Sequence, residues 1–110
     1  MKLISSVVRF SKFDEVKQAL HSVRVDSLNV TERLDHAPQK HETTVWLGRE
    51  YSLGFARKMQ IDIVVHDDQV DEVVGAIIKA ARTGHPGDGH VLVVPLEHRY
   101  NIRNGDRDVA

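Results

Sequence analysis

The sequence predicts an α+β fold: a ferredoxin-like βαββαβ sandwich, with an antiparallel sheet and two helices on one of its faces. Three observations predict it: short strands rich in β-branched residues, two amphipathic helical patterns, and their order along the chain. The 110 residues are 41% hydrophobic and 28% charged, which suits one core in a single domain over residues 1–110. Because such a sheet leaves its second face uncovered, we expect a closed homo-oligomer.

The first half of the chain reads as strand, helix, strand. Residues 3–10 are rich in β-branched side chains and predict the first strand. Apolar residues recur at helical spacing over Phe13–Ser22, and Ser11 with Asp14 resembles a capping box before them. Residues 25–34 place apolar and polar side chains on opposite faces, which predicts a second strand.

Residues 35–55 show no sustained period and predict a long loop. Loops of this length are uncommon inside compact domains and are usually functional or mobile. The loop contains two large aromatic residues, Trp46 and Tyr51, for which packing against the body and contact with a partner are equally open. This segment is the first candidate for function.

The second half repeats the strand, helix, strand pattern. Residues 59–65 alternate and predict the third strand. A wide apolar stripe from Val70 onward predicts a helix that Asp67 and Asp68 cap and Gly84 ends. A glycine loop follows (residues 82–90), and then a fourth strand over residues 91–96, with Pro95 favouring its edge or end.

The remaining segment, the C-terminal tail (residues 99–110), is polar. Asn104 and Gly105 supply a turn signal within it. No repeat of solenoid period is present, so the order of elements is βαββαβ followed by a tail.

Composition excludes several classes of function. Fifteen basic and sixteen acidic residues give a net charge of −1, so we predict no nucleic-acid partner. The absence of cysteine excludes disulfides, thiolate metal sites and cysteine nucleophiles. No stretch approaches the roughly 20 apolar residues of a spanning helix, and we expect a cytoplasmic protein.

The glycine loop and the histidines are the two candidate constellations. Glycines between a helix and a strand let backbone amides turn toward phosphate oxygens, although a simple tight turn explains the same composition. Histidines fall in both loops, but none has the spacing of a helical zinc motif, so we predict no metal site. The weak candidates for a metal ligand are His36, His41, His85 and His90.

No nucleophile with a base beside it can be assigned, and no carboxylate pair stands apart from capping or surface positions. We therefore predict a binding protein and not an enzyme. A slow nucleotide hydrolase is the least favoured alternative.

The chain resembles the PII signal-transduction family of small trimeric sensors of nitrogen, carbon and energy state. In that family the long loop is the T-loop (about 35–55), the glycine loop is the B-loop, and the tail forms a third loop. The resemblance covers essentially the whole chain without gaps, and it is carried by Val30-Thr31-Glu32, Gln39-Lys40, Gly48, Glu50-Tyr51, Lys58, residues 67–71, Ala80, Thr83-Gly84, Gly87-Asp88-Gly89 and Ile102-Arg103.

The resemblance implies a homotrimer that binds ATP or ADP, with Mg²⁺, in clefts between subunits. No cofactor is expected to be tightly bound, and 2-oxoglutarate would bind near the base of the T-loop. The implied nucleotide-binding residues are Val7, Asp62, Val64, Gly87, Asp88, Gly89, His90 and Arg103. Gln39 and Lys58 would serve the effector and Mg²⁺ region, and Tyr51 matches a tyrosine that some members carry as a uridylylation site.

The chain also departs from the family pattern. His90 stands in place of a lysine and Asn101 in place of an arginine, so two fixed positive charges are missing. Each lost contact would weaken binding of a triphosphate by about 1.5–3 kcal/mol, so ATP should suffer more than ADP or AMP. Asp35 and Ala37 replace two T-loop glycines, which changes the region expected to surround 2-oxoglutarate.

These departures suggest a divergent PII-like member. We expect a regulator of a transporter or enzyme in nitrogen or carbon metabolism, acting through its T-loop. The alternative is a metal- or bicarbonate-responsive PII-like binding protein linked to transport or efflux.

Overall fold

A computed structural model describes residues 1–25, 27–37, 44–46, 49–51 and 54–108. Two 3₁₀ turns, Phe10–Lys12 and Asp67–Gln69, precede the two helices. The helices are α1 (Phe13–Ser22) and α2 (Val70–Ala81), and the strands are β1 (Lys2–Arg9), β2 (Asn29–Ala37), β3 (Thr44–Trp46), β4 (Arg49–Tyr51), β5 (Gly54–Val65) and β6 (Gly89–Pro95).

Four strands form one antiparallel sheet in the order β2-β5-β1-β6. Helix α1 connects β1 to β2 across β5, and α2 connects β5 to β6 across β1. The helices pack against each other, and α2 packs on β1. This is the split βαβ arrangement, which confirms the predicted ferredoxin-like α+β fold.

The core lies between the helices and one face of the sheet. Ile4, Ile61 and Ile77 are completely buried there. Side chains alternate along each strand, so the residues between them belong to the second face. On that face Leu92 and Val94 of β6 are exposed within one chain, at 52% and 40%. The fold prediction expected this second face to be uncovered within one chain.

The predicted loop at residues 35–55 is wrong at both ends and in its middle. β2 and β5 continue their ladder as far as the pair Ala37 and Gly54. Strands β3 and β4 form a separate two-stranded ladder in which Val45 pairs with Glu50. The second strand also begins at Asn29 and not at residue 25, and the third begins at Gly54 and not at residue 59. Backbone pairing sustains these strand ends without an alternating apolar pattern.

The predicted caps of both helices are also wrong. Lys12 occupies the N-cap of α1 and makes no side-chain cap hydrogen bond. Ser11 lies one residue earlier, inside the 3₁₀ turn that precedes the helix. Before α2, the Gln69 side chain accepts a hydrogen bond from the His66 backbone N–H at 3.1 Å. The Asp67 carboxylate instead contacts the Lys2 Nζ at 3.2 Å.

The end of α2 differs slightly from the prediction. The helix ends at Ala81, and Arg82 follows as its C-cap in extended backbone. Gly84, with φ of +84°, therefore lies inside the glycine loop. The last strand runs over Gly89–Pro95 instead of residues 91–96, and Pro95 ends an edge strand as predicted.

Candidate functional site

The glycine loop (residues 82–90) contains two glycines with distinct steric reasons for being glycine. Gly89 has φ of +102°, and a Cβ there would lie 1.8 Å from the backbone oxygen of Val7. β6 could not begin beside β1 with any side chain at that position. Gly87 has φ of +95°, and its Cβ would lie 3.3 Å from an Arg9 guanidinium nitrogen.

The Asp88 carboxylate organises the loop from inside. It accepts hydrogen bonds from the backbone N–H groups of Thr83 at 3.0 Å and Gly84 at 2.9 Å, and from the Thr83 hydroxyl. Arg9 Nε donates to the same carboxylate at 3.0 Å. The hydrogen bonds from Thr83, joined by those from Arg9 and Gly84, hold the pKa of Asp88 well below its usual range. The Asp88 carboxylate is therefore occupied by donors of the loop itself and by Arg9.

Two cations lie under the loop. Arg9 ends β1 and is paired directly with Lys58 of β5. The Lys58 ammonium donates to the Gly87 carbonyl oxygen, and Arg9 Nη2 donates to the Pro86 carbonyl oxygen at 2.8 Å. Burial of Lys58, which is 8% exposed, lowers its pKa, and the Arg9 charge lowers it further, whereas Asp35 and Asp88 raise it. This end of the sheet concentrates positive charge in a protein with a net charge of −1.

A groove of about 400 Å³ lies beside the loop. Its volume falls within the range of small-molecule sites. Asp88, Gly89 and His90 line its polar side, and Val7 and Ile78 are among its apolar residues. Val7 and His90 are also cross-strand partners, so β1 and β6 place both at this end of the sheet.

The predicted adenine contacts fall into two separated groups. Val7 belongs to the glycine-loop end, but Val64 pairs with Leu3 near the other end of β1. Along β5, Val64 lies roughly 20 Å from Lys58 at about 3.3 Å per residue. Asp62 stands between them, half-buried, and accepts a hydrogen bond from the Gln60 side chain at 3.1 Å. One chain therefore does not gather the predicted nucleotide residues into one site.

The tail leaves the sheet at the end away from the glycine loop, because Pro95 ends β6 opposite Lys2. Residues 99–108 then form a tail hairpin. Asn101 N–H donates to Asp106 O at 2.8 Å, and Gly105 N–H donates to Asn101 O at 2.7 Å. Gly105 has φ of +73°, which confirms the predicted turn.

The rest of the tail hairpin is held by its own residues. Arg99 pairs with Asp108, and the Asn101 side chain accepts the Arg103 N–H at 2.9 Å. The Arg103 side chain is exposed, as is Ile102. In the part of the chain that the structure describes, the hydrogen bonds and ion pairs of residues 99–108 are all internal to the hairpin.

The other predicted site residues are only partly described. Gln39 and His41 lie outside the described residues. The backbones of His36 and Tyr51 belong to β2 and β4, and their side chains lie outside the description. His85 and His90 are exposed, and the described ranges contain no group of three metal-ligating side chains.

Sequence reasoning missed Arg9 and Thr83. Arg9 ends an apolar strand, where a charged residue usually marks a solvated end, and Thr83 looked like part of a turn. The signal that identifies Arg9 is the register seen in the structure: Arg9 faces Lys58 across the ladder, and both contact the glycine loop.

These features define a small ferredoxin-like α+β protein with a hydrogen-bonded glycine loop that two cations contact. The family model for Nitrogen regulatory protein P-II matches residues 1–106. The chain therefore belongs to the P-II family of nitrogen regulatory, signal-transduction proteins, as its sequence motifs predicted.

Individual relatives support the same family assignment. Nitrogen regulatory protein GlnK of Escherichia coli strain K12 is 39% identical over 110 residues, covering 100% of this chain and 98% of that protein. Nitrogen regulatory protein P-II of Microchaete diplosiphon is 41% identical over 108 residues, covering 98% and 96%. That of Azospirillum brasilense is 39% identical over 107 residues, covering 97% and 96%. The names of all three describe regulatory proteins.

Within the described residues, no helix has the length and apolar character needed to cross a membrane.

Proposed function

We propose that this protein is a homotrimeric regulator that binds an adenine nucleotide in three clefts between subunits. ATP and ADP are the expected ligands, with Mg²⁺, and AMP is a further candidate. The separation of the two groups of site residues carries this proposal. The glycine loop lies at one end of β6 and the tail begins at the other, so a tail from a neighbouring copy supplies what one chain lacks.

The apolar second face of the sheet supports assembly. Leu92 and Val94 are exposed on edge strand β6, where they would be costly to leave in water. A head-to-tail contact that uses two different surfaces generates a closed ring when its rotation closes. Three copies give one nucleotide cleft at each contact.

In each cleft, the glycine loop around Gly87, Asp88 and Gly89 would contact phosphates. His90 and Arg103 would add positive charge, and Val7 and Val64, contributed by different subunits, would contact adenine, with Asp62 beside it. Lys58 and Gln39 would serve Mg²⁺ and a second effector, for which 2-oxoglutarate and bicarbonate are the candidates. Because Lys58 already donates to Gly87 O, an anionic effector would compete with that contact.

The output would pass through the T-loop (35–55) to a transporter or enzyme of nitrogen or carbon metabolism in the cytoplasm, and Tyr51 is the candidate modification site. The described base of this loop supports the connection. Arg33 Nε donates to Asp35 Oδ1 at 3.2 Å, and the Asp35 charge acts on Lys58. Binding of an anion at Lys58 would therefore alter the electrostatic interactions of Asp35, where β2 leads into the T-loop.

Calorimetric titration with ATP, ADP and AMP, each with and without Mg²⁺, 2-oxoglutarate and bicarbonate, tests this function. We expect micromolar or tighter binding of at least one nucleotide by a trimer confirmed by sedimentation. Lys17→Met removes an exposed cation of α1 and serves as a control that should bind normally. A folded trimer that gives no heat with any nucleotide would refute the proposal.

A further inference from the structure

Arg9 contacts the glycine loop twice, although it is not among the predicted nucleotide residues. Its Nε binds Asp88 Oδ1 at 3.0 Å, and its Nη2 binds Pro86 O at 2.8 Å. The two contacts join the end of β1 to a carboxylate and to a backbone carbonyl of the loop that follows α2 in the sequence. A planar guanidinium suits such a double contact because its donors are fixed in a fork.

These contacts fix the direction of loop peptides. Pro86 O accepts from Arg9, and Gly87 O accepts from Lys58. In a planar trans peptide, the N–H points opposite to the C=O. The N–H groups of Gly87 and Asp88 therefore point away from the two cations. Within the described residues the Gly87 N–H has no acceptor, whereas the Asp88 N–H closes the turn over Pro86 and Gly87 toward the His85 carbonyl oxygen.

A backbone N–H without an acceptor in a glycine-rich turn is a donor that suits an anion. We propose that Arg9 is a positioning residue for phosphate binding: it orients the peptide between Pro86 and Gly87 and anchors Asp88, and so holds the Gly87 N–H ready for a phosphate. Arg9 itself stays on the carbonyl side of the loop. The inference rests on the proposed nucleotide site, and it assigns to a residue of β1 a role in the recognition of a nucleoside diphosphate or triphosphate.

The rest of the Arg9 environment agrees with this role. The other oxygen of the Asp88 carboxylate, Oδ2, accepts hydrogen bonds from the backbone N–H groups of Thr83 and Gly84. Arg9, Asp88 and the start of the loop therefore form one hydrogen-bonded chain. The absence of a side chain at Gly87 leaves room for the guanidinium, 3.3 Å from where a Cβ would lie. With Arg9 removed, the Pro86 carbonyl loses its described partner and the peptide is free to rotate.

The test compares Arg9→Met and Arg9→Lys with the wild-type protein. We expect Arg9→Met to weaken ADP binding about tenfold, the scale of one charge-assisted hydrogen bond. Lysine keeps the charge but reaches one acceptor, so Arg9→Lys should restore part of the affinity. Lys12→Met is the matched control: it removes a nearby cation whose ion-pair partner among the described residues is Glu15, at 3.4 Å, and should bind ADP normally.

A second measurement is made without nucleotide. In the free protein, the amide NMR resonances of Gly87 and Asp88 should shift in Arg9→Met and return toward wild-type positions in Arg9→Lys, while those of α1 stay unchanged. Unchanged loop resonances together with wild-type ADP affinity in Arg9→Met would overturn the inference. If Arg9→Met does not fold, Arg9→Lys decides: weakened ADP binding supports the role and wild-type binding overturns it. Failure of the wild-type protein to bind any nucleotide would instead refute the proposed function, while the free-protein spectra still report on Arg9.

Discussion

The glycine loop and the tail hairpin both carry residues expected at phosphates, but they are held in opposite ways. The glycine loop is tied to two neighbouring strands through Arg9 and Lys58. The tail hairpin is tied to itself, through Arg99 with Asp108 and through the hydrogen bonds around Asn101. The glycine loop is therefore anchored on the sheet of its own chain, whereas the described contacts of the tail hairpin lie within the hairpin.

The internal contacts of the tail hairpin explain what Asn101, a departure from the family pattern, does in this chain. Asn101 replaces an expected arginine, and its side chain accepts the Arg103 N–H at the hairpin turn. The hairpin thus has an internal hydrogen bond at the position where the family resemblance implied a further positive charge. Binding of the nucleotide by the tail would then depend mainly on Arg103, which makes the contribution of the glycine loop more important.

The largest expected effect comes from the glycine loop. Gly89→Ala places a Cβ 1.8 Å from the Val7 carbonyl oxygen, in backbone that cannot give way without separating β6 from β1. We expect the free energy of unfolding to fall by about 3 kcal/mol or more, measured by urea denaturation. Gly84→Ala is the matched control, since its φ of +84° is also positive but no atom lies within 4 Å of its Cβ. It should lose only about 1 kcal/mol. Equal losses in the two variants would show that the close approach at Gly89 does not govern the loop.

The next effect tests whether the two halves come from different chains. Lys58→Met and Arg103→Ala should each weaken ATP binding by about ten- to a hundredfold, the range of a lost charge-assisted hydrogen bond. If the site lies between subunits, mixing and reassembling the two variants restores intact clefts, at about a quarter of all sites for random trimers. Calorimetry of the mixture should show this fraction with wild-type affinity. No recovery in verified mixed trimers would place both residues in the same chain's site.

The fold was predictable because its signals are local and periodic. Both βαβ halves could be identified from apolar spacing, and α1 was predicted over the same residues that it occupies, Phe13–Ser22. The ends of β2 and β5 were not predictable in this way. They pair through the backbone up to Ala37 and Gly54, where alternation of apolar residues no longer marks the strand.

The sequence indicated which residues could belong to the candidate site, but not how they are arranged in space. The glycine loop was found from its composition, and the tail turn from Asn104 and Gly105. The role of Arg9 depends on its register opposite Lys58, and the separation of Val64 from the glycine loop depends on strand direction. Both are properties of long-range pairing, which a single sequence does not display.

The smallest expected effect contrasts two aspartates, one in each half. Asp88→Asn removes a carboxylate that four donors stabilise, whereas Asp108→Asn removes an exposed ion pair of the kind that contributes about 0.2–1 kcal/mol. At pH 7 we expect Asp88→Asn to lower the free energy of unfolding more than Asp108→Asn does. Because folding lowers the pKa of Asp88, its stabilising effect is present above the unfolded carboxyl pKa of about 3.9 and is lost as the pH falls. The gap between wild-type protein and Asp88→Asn, followed by urea denaturation, should therefore narrow from about pH 5 to pH 3. A gap that stays constant over this range would mean that the Asp88 charge does not hold the loop, and that the glycine loop is no more firmly anchored than the tail hairpin.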